Sequence, residues 1–282
     1  MENRPTNPLA KHFRQPAIYL PLPSKGRFYP DGALAMPANG EVPIYPLTSR
    51  DEVTLRTPDS LINGNSVSEV IQSCVPAIKD AWQVPSVDLD AIFIAIRIAS
   101  YGHKMELSVA CPKCKEVNEY EIDLRNTLAS IESPDFTDLV LVDNLKVKLK
   151  PQAYESANKV NSLRFEEQRM MEQLSKTDVP QEVRLETLKQ QMHKIAGLNL
   201  EVLADVTEYI QTEDNTLVDN KDFINEFYQN ADVNIIKAIE AKLTEYTVKS
   251  GAKPEHIKCG SCEHEFKTAV EFDYSNFFAQ GS

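Results

Sequence analysis

Four cysteines in two pairs are the residues of this chain best suited to chemistry: Cys111-Pro112-Lys113-Cys114 and Cys259-Gly260-Ser261-Cys262. A Cys-x-x-Cys turn puts two sulfurs on one side of a metal, and tetrahedral zinc takes four such soft ligands. Pro112 stiffens the first turn, and Gly260 permits close backbone approach in the second. Strand-like alternation flanks both, over residues 105–110 and 118–124 for the first pair and 256–258 and 265–272 for the second. Two hairpins with thiolates at their tips are the parts of a zinc ribbon. The spacing predicts one structural Zn2+ held by Cys111, Cys114, Cys259 and Cys262, a closed site with no position for water.

Other chemistries fit less well. Redox Cys-x-x-Cys pairs open helices in a βαβ setting, and disulfides belong to oxidising compartments. Nothing at the N-terminus has the order of a secretory signal. His264-Glu265 hints at a deaminase, but that signature sets His and Glu before a single Pro-Cys-x-x-Cys, whereas Pro112 follows Cys111. Gly-rich phosphate loops, a Gly-x-Ser-x-Gly elbow and His-Glu-x-x-His are all missing, so no enzyme is expected. His103, His256 and His264 lie near the knuckles as supports or substitute ligands, although surface or core histidines are commoner.

A zinc-ribbon nucleic-acid-binding or transcription-associated factor is the alternative. Lys104, Lys113 and Lys115 at the first knuckle face Glu106, Glu116, Glu119 and Glu121, and the second is no more basic. A net charge of -12 further disfavours a grip on phosphates and on anionic membranes. The most apolar run, residues 91–99, is too short to span a bilayer and contains Arg97, expected at a rim. With 282 residues the chain can bury its own core. Cys74, the fifth cysteine, reads as a packed small hydrophobe.

The elements that must position the knuckles follow in order. Residues 1–16 are polar and aperiodic, an extended arm. Prolines make residues 18–23 an edge strand or polyproline ribbon, turning at Ser24 to Gly26. A strand at 41–47 precedes a helix capped by Ser49 and Glu52, a helical turn at 58–62 closed by Asn63-Gly64, and a helix capped by Ser66 and Glu69. Trp82 reads as a core anchor, and Ser86 caps the central buried helix, which stops at Gly102. Asp143-Asn144 marks a two-residue hairpin. Beyond Pro151 come two antiparallel helices broken around Asp178 and Pro180, the second ending at Gly197, and a third helix over 200–210. Helices at 220–228 and 233–248 follow, and clustered aromatics at 272–278 suggest a docked terminus.

Leu22-Pro23-Ser24-Lys25-Gly26-Arg27-Phe28-Tyr29-Pro30 and Pro46-Leu47-Thr48-Ser49-Arg50-Asp51-Glu52 resemble the opening of baseplate proteins of contractile-tailed phages related to T4. Ala95-Ile96-Arg97-Ile98-Ala99-Ser100-Tyr101-Gly102, the Cys111 knuckle, and the closing pair with Asn276-Phe277-Phe278 continue the likeness to the baseplate hub family. The likeness covers roughly the first 115 residues well and the last 60 loosely, and none of residues 152–210. It implies a virion protein of the tail baseplate, assembled in the host cytoplasm, without catalytic residues. The implied partners are other copies, hub proteins and tape-measure proteins, with no nucleic acid and no membrane.

The expected fold class is α+β, mainly helical, with short β-hairpins forming a zinc-ribbon-like clasp. Its expected parts are an arm at 1–16, a unit of 17–150 plus 251–282 bearing the four-cysteine site, and an inserted helical domain at 151–250.

Overall fold

The computed structural model describes residues 7–56, 64–176 and 181–268. An antiparallel pair opens it: β1 (Ile18–Pro21) against β2 (Glu41–Ile44), with Leu20 opposite Val42. α1 (Ser49–Leu55), α2 (Asn65–Cys74) and α3 (Ser86–Tyr101) follow and enclose the first apolar core. Ile92, Phe93, Ile94 and Ile96 of α3 are fully buried, each contributing about 1.5–3 kcal/mol. α3 is the buried axis that its apolar run predicts.

Three expected caps differ. Thr48, not Ser49, caps α1, and its reciprocal partner is Asp51 in place of Glu52. Gly64, in the left-handed region at φ 77°, precedes α2, and the Ser66 hydroxyl instead donates to the Thr54 carbonyl at 2.8 Å. Pro85 precedes α3 with no side-chain cap, while the Ser86 N–H donates to the Gln152 carbonyl at 2.7 Å. Ser66, which is buried, and the exposed Ser86, through its backbone N–H, make tertiary contacts that a helix-local reading does not see. A Cβ on Gly64 would come within 2.6 Å of the Asn158 side chain. The helical turn at 58–62, the break near Pro180 and the aromatics at 272–278 lie outside the described residues.

Two polar anchors hold the N-terminal segment. Arg14, from the stretch expected as an extended arm, donates to the Pro46 carbonyl at 2.7 Å, to Asp51 at 3.1 Å, and to the Ser73 carbonyl and hydroxyl at 2.8 Å. It also approaches buried Cys74, whose thiol burial pushes up to about 12. Asp88 of α3 accepts the Ser24 N–H at 2.7 Å, the Ser24 hydroxyl at 2.6 Å and the Tyr29 hydroxyl at 3.0 Å. The basic turn is therefore laid against its own body. Arg97, expected at a rim, is only 3% exposed, with its guanidinium 5.6 Å from the Tyr101 ring centroid. Nearly every side of α3 is covered, which leaves that residue no rim to reach.

β3 (Lys104–Ala110) and β4 (Val117–Asp123) form the first long hairpin, followed by α4 (Leu124–Ala129). β5 (Leu139–Val142) and β6 (Leu145–Leu149) turn at Asp143-Asn144, as the sequence predicts. Two long helices come next, α5 (Tyr154–Lys176) and α6 (Gln181–Val206). Gly197 does not end the second, and no separate helix forms over 200–210. An exposed glycine costs a helix only about 1 kcal/mol, and α6 runs through it. The stretch expected as helical to residue 210 becomes β7 (Thr207–Gln211), because its β-branched and aromatic residues pair with β6, placing Ile210 beside Val147.

β8 (Leu217–Val218), α7 (Lys221–Asn230) and α8 (Val233–Ser250) complete a second core over a sheet ordered β5-β6-β7-β8. β6 and β7 thus pair across residue 150. Trp82 stacks on Tyr154, at the start of α5, with ring centroids 5.3 Å apart. β9 (Glu255–Lys258) and β10 (Glu265–Thr268) form the last hairpin. The whole is an α+β fold.

Burial pushes the Asp88 carboxyl above its ordinary value, against the pull of the Ser24 and Tyr29 donors. A carboxyl raised in the folded state favours folding fully below the unfolded Asp range, near about 3.9. That contribution is lost as pH rises through the folded value. Asp88→Asn is expected to flatten this slope in urea midpoints measured across acidic to neutral pH; an unchanged slope would refute the assignment. Asp88→Ala, leaving three donors unpaired, is expected to lower stability by about 3 kcal/mol.

Candidate metal centre

The two cysteine pairs sit on the tips of β3–β4 and β9–β10. Their local chemistry is nearly identical. The Cys111 N–H donates to the Glu116 carbonyl at 2.9 Å, and the Lys115 N–H to the Cys111 carbonyl at 2.9 Å. In the second knuckle, the Cys259 N–H donates to the His264 carbonyl at 2.9 Å, and the Glu263 N–H to the Cys259 carbonyl at 3.0 Å. Lys115 at φ 65° and Glu263 at φ 56° take the left-handed conformation at matching positions, just after each second cysteine. That shared strain folds each turn back so both sulfurs face one side.

The knuckles meet across most of the sequence. Cys111 Sγ lies 3.7 Å from Cys262 Sγ, and Cys114 Sγ lies 3.6 Å from Cys259 Sγ. All four sulfurs fall within 4.8 Å of one another. A Zn–S length of about 2.3 Å gives a tetrahedron with edges of about 3.8 Å. The sulfur positions suit that polyhedron. Cys111 and Cys259 are buried and Cys114 is exposed, so the centre sits near the surface.

Electrostatics divide the thiols. Backbone N–H groups of Cys262 and Ser261 bring the Cys259 thiol down to about 6. Burial raises the Cys111 thiol, but N–H donors from Cys114 and Lys113 outweigh it, and the net direction is down. The Glu116 N–H lowers the Cys114 thiol, yet burial and the adjacent thiols prevail and push it up to about 12. Burial, then the four nearby cysteines, raise the Tyr120 hydroxyl. Negative charge crowded into this space is what a divalent cation would relieve.

The four cysteines that the sequence pairs do come together, and Asn118 beside them has no counterpart in the sequence reading. Its Nδ2 donates to Cys259 Sγ at 3.4 Å and to the Glu116 carbonyl at 3.1 Å, and its Oδ1 accepts the Gly260 N–H at 3.1 Å. One amide thereby bridges both knuckles. The signal available was a polar side chain in the strand directly after the first knuckle, which alone does not name a partner 142 residues away. None of His103, His256 and His264 belongs to the sulfur cluster; His264 stacks on Phe266 at 6.0 Å. Further links tie the returning chain to α4: Thr127 to Glu255 at 3.3 Å, and the Lys253 N–H to the Ser130 hydroxyl at 3.1 Å.

The family model described as T4 bacteriophage base plate protein matches residues 33–279. No curated protein and no solved structure matches the chain.

Asn118→Ala removes the side chain that satisfies the Gly260 N–H. Hydrogen exchange at Gly260 is expected to quicken by about tenfold, the equivalent of one hydrogen bond at about 1.4 kcal/mol. Amides in the middle of β3 and β4 should keep their protection. Equal exchange at Gly260 in both proteins would remove Asn118 from the clasp.

Proposed function

The chain belongs to the T4 bacteriophage base plate protein family, and from that premise we propose that it works in the hub region as a non-enzymatic structural or assembly part held together by zinc. Membership places it among structural proteins of the phage tail baseplate, in the virion, in association with other baseplate proteins. The match across residues 33–279 is the observation that carries the reading, since it spans both knuckles and the greater part of both apolar cores. Hub and tape-measure proteins, and further copies of this chain, are the proposed neighbours.

In this reading Cys111, Cys114, Cys259 and Cys262 hold one structural zinc, supported by sulfur spacings close to a tetrahedral edge. Four thiolates leave the ion no open position, so it would supply cohesion and no hydrolysis. The proposed mechanical division follows. Residues 17–150 with 251–282 form the frame, 151–250 the excursion that it closes, and 1–16 an arm. Supporting it, the returning hairpin meets the β3–β4 tip. The β6–β7 pairing lashes the excursion to the frame.

Protein purified under reducing conditions is expected to carry one zinc per chain by elemental analysis. Chelation, or Cys259→Ser, should loosen β9–β10 and lower the melting temperature. A zinc-free protein that melts identically with and without chelator would sink the metal assignment. For the baseplate role, mass spectrometry of purified particles and of tail-assembly intermediates is expected to find the chain at fixed stoichiometry in one or both. Its absence from both, with tails forming normally when its gene is deleted, would overturn the reading.

A further inference from the structure

The helical pair α5 and α6 has two unlike flanks. Among the described side chains, none from 155 to 197 is buried, so the pair is covered by little besides itself. Val160, Leu163, Glu167 and Met170 of α5 are half-buried at spacings of three, four and three, against Gln191 and Ile195 of α6. Gln191 donates to Met170 Sδ at 3.3 Å. These residues form the seam of an antiparallel pair. Positions one residue before the seam meet on one flank, where Lys159 pairs with Glu201 at 2.6 Å and Lys194 with Glu166 at 3.7 Å.

Positions one residue after the seam turn to the opposite flank on both helices. There stand Arg164, Gln168 and Met171 of α5 with Lys189, Met192 and Ala196 of α6, all exposed. Two cations and no carboxylate at these positions set the flank apart, on a chain whose net charge is -12. Met171 and Met192 directly follow the contacting Met170 and Gln191, so they lie level and make an apolar floor. They are 45% and 70% exposed. Unbranched thioether side chains suit a surface that moulds to a partner.

The matching chemistry lies on α7 of the same chain. Its inner side, Ile224 and Tyr228, is buried in the second core. Its outer side presents Phe223, 62% exposed, with Glu226 one turn on and Asp222 alongside. The adjacent cation, Lys221, does not neutralise them, because its ammonium donates to the carbonyls of Ala204 at 2.6 Å and Thr207 at 2.7 Å. Among the described residues, Asp222 and Glu226 make no ion pair, and neither do Arg164 and Lys189. Within one chain the faces do not cover each other, since Phe223, Met171 and Met192 all stay exposed. Two hairpin flanks placed together would crowd four cations, and two α7 faces four carboxylates. The unlike combination sets an aromatic anchor on an apolar floor with opposite charges around it.

We propose that the Met171–Met192 flank receives α7 of a second copy of this chain. Phe223 rests on the two methionines, and Asp222 and Glu226 answer Arg164 and Lys189. Every copy carries both faces, so the contact joins unlike surfaces. One helix on a two-helix flank is a contact below about 1,200 Å², so association is weak and reversible. A second copy is one of the neighbours in the functional reading above, but the two faces stand without it.

The test follows the full-length chain by sedimentation and light scattering across concentration and salt. Self-association is expected, weakening at least tenfold from low to high salt. Two variants each reverse one face: Arg164→Glu with Lys189→Glu, and Asp222→Lys with Glu226→Lys. All four sites are exposed, so both variants should fold. Alone, each is expected to associate at least tenfold more weakly than the parent. Mixed, they should recover one-to-one pairs, because every unlike contact between them again joins opposite signs. Should either misfold, Met192→Ala and Phe223→Ala replace them, each expected to weaken association at least tenfold. A parent that stays monomeric, variants that associate as it does, or a charge-reversed mixture that recovers nothing would overturn the proposal. So would a monomeric parent whose hairpin is covered only in assembled particles, which would give the flank to a different protein. Particle composition is read separately, so self-association and the baseplate role can fail independently.

Discussion

Everything in this fold hangs on two short turns that find each other across long sequence separations, 151 residues for Cys111 and Cys262 and 145 for Cys114 and Cys259. Closing such a loop costs conformational entropy that grows only slowly with its length. The contacts at the closure need not be extensive, but they must be specific. Matching hydrogen bonds in each knuckle, the left-handed Lys115 and Glu263, and the bridge through Asn118 provide that specificity. The α4 contacts to Glu255 and Lys253 share the load at the same place.

Between those fastenings the chain builds two cores that interlock. Val87, at the start of the buried helix α3, packs into the second core, and Tyr154, at the start of α5, packs into the first. Buried polar groups position the elements. Asp88 fixes the Ser24–Tyr29 turn, and Arg14 draws α1, α2 and the chain before them to one point. Such groups are costly to bury unless satisfied. Once satisfied, they tolerate one arrangement only, which is why a proline-rich segment with little regular structure is nonetheless fixed in place.

Local patterns were legible and long-range choices were not. The cysteine spacing, the apolar run of α3, the Asp143-Asn144 turn and the helices near 221 and 233 carry their meaning in a few adjacent residues, and each stands where expected. The capping serines misled because Ser66 and Ser86 bond to distant backbone. Residues 207–211 misled because they follow a long helical run, and only the neighbouring β6 selects the strand. Arg97 misled because amphipathic reasoning assumes an exposed side that α3 hardly has. At the cysteine cluster itself the four residues that come together could be read, while the amide that joins the knuckles could not. Asn118 acquires its role only from a hairpin 142 residues away.

The indole of Trp82 rests flat against Tyr154, where the long helical pair α5 and α6 leaves the body. It is the only tryptophan in the chain. Nature has in effect soldered an optical gauge onto the root of that pair. Any swing of that pair would alter the emission of a single fluorophore, with no label attached.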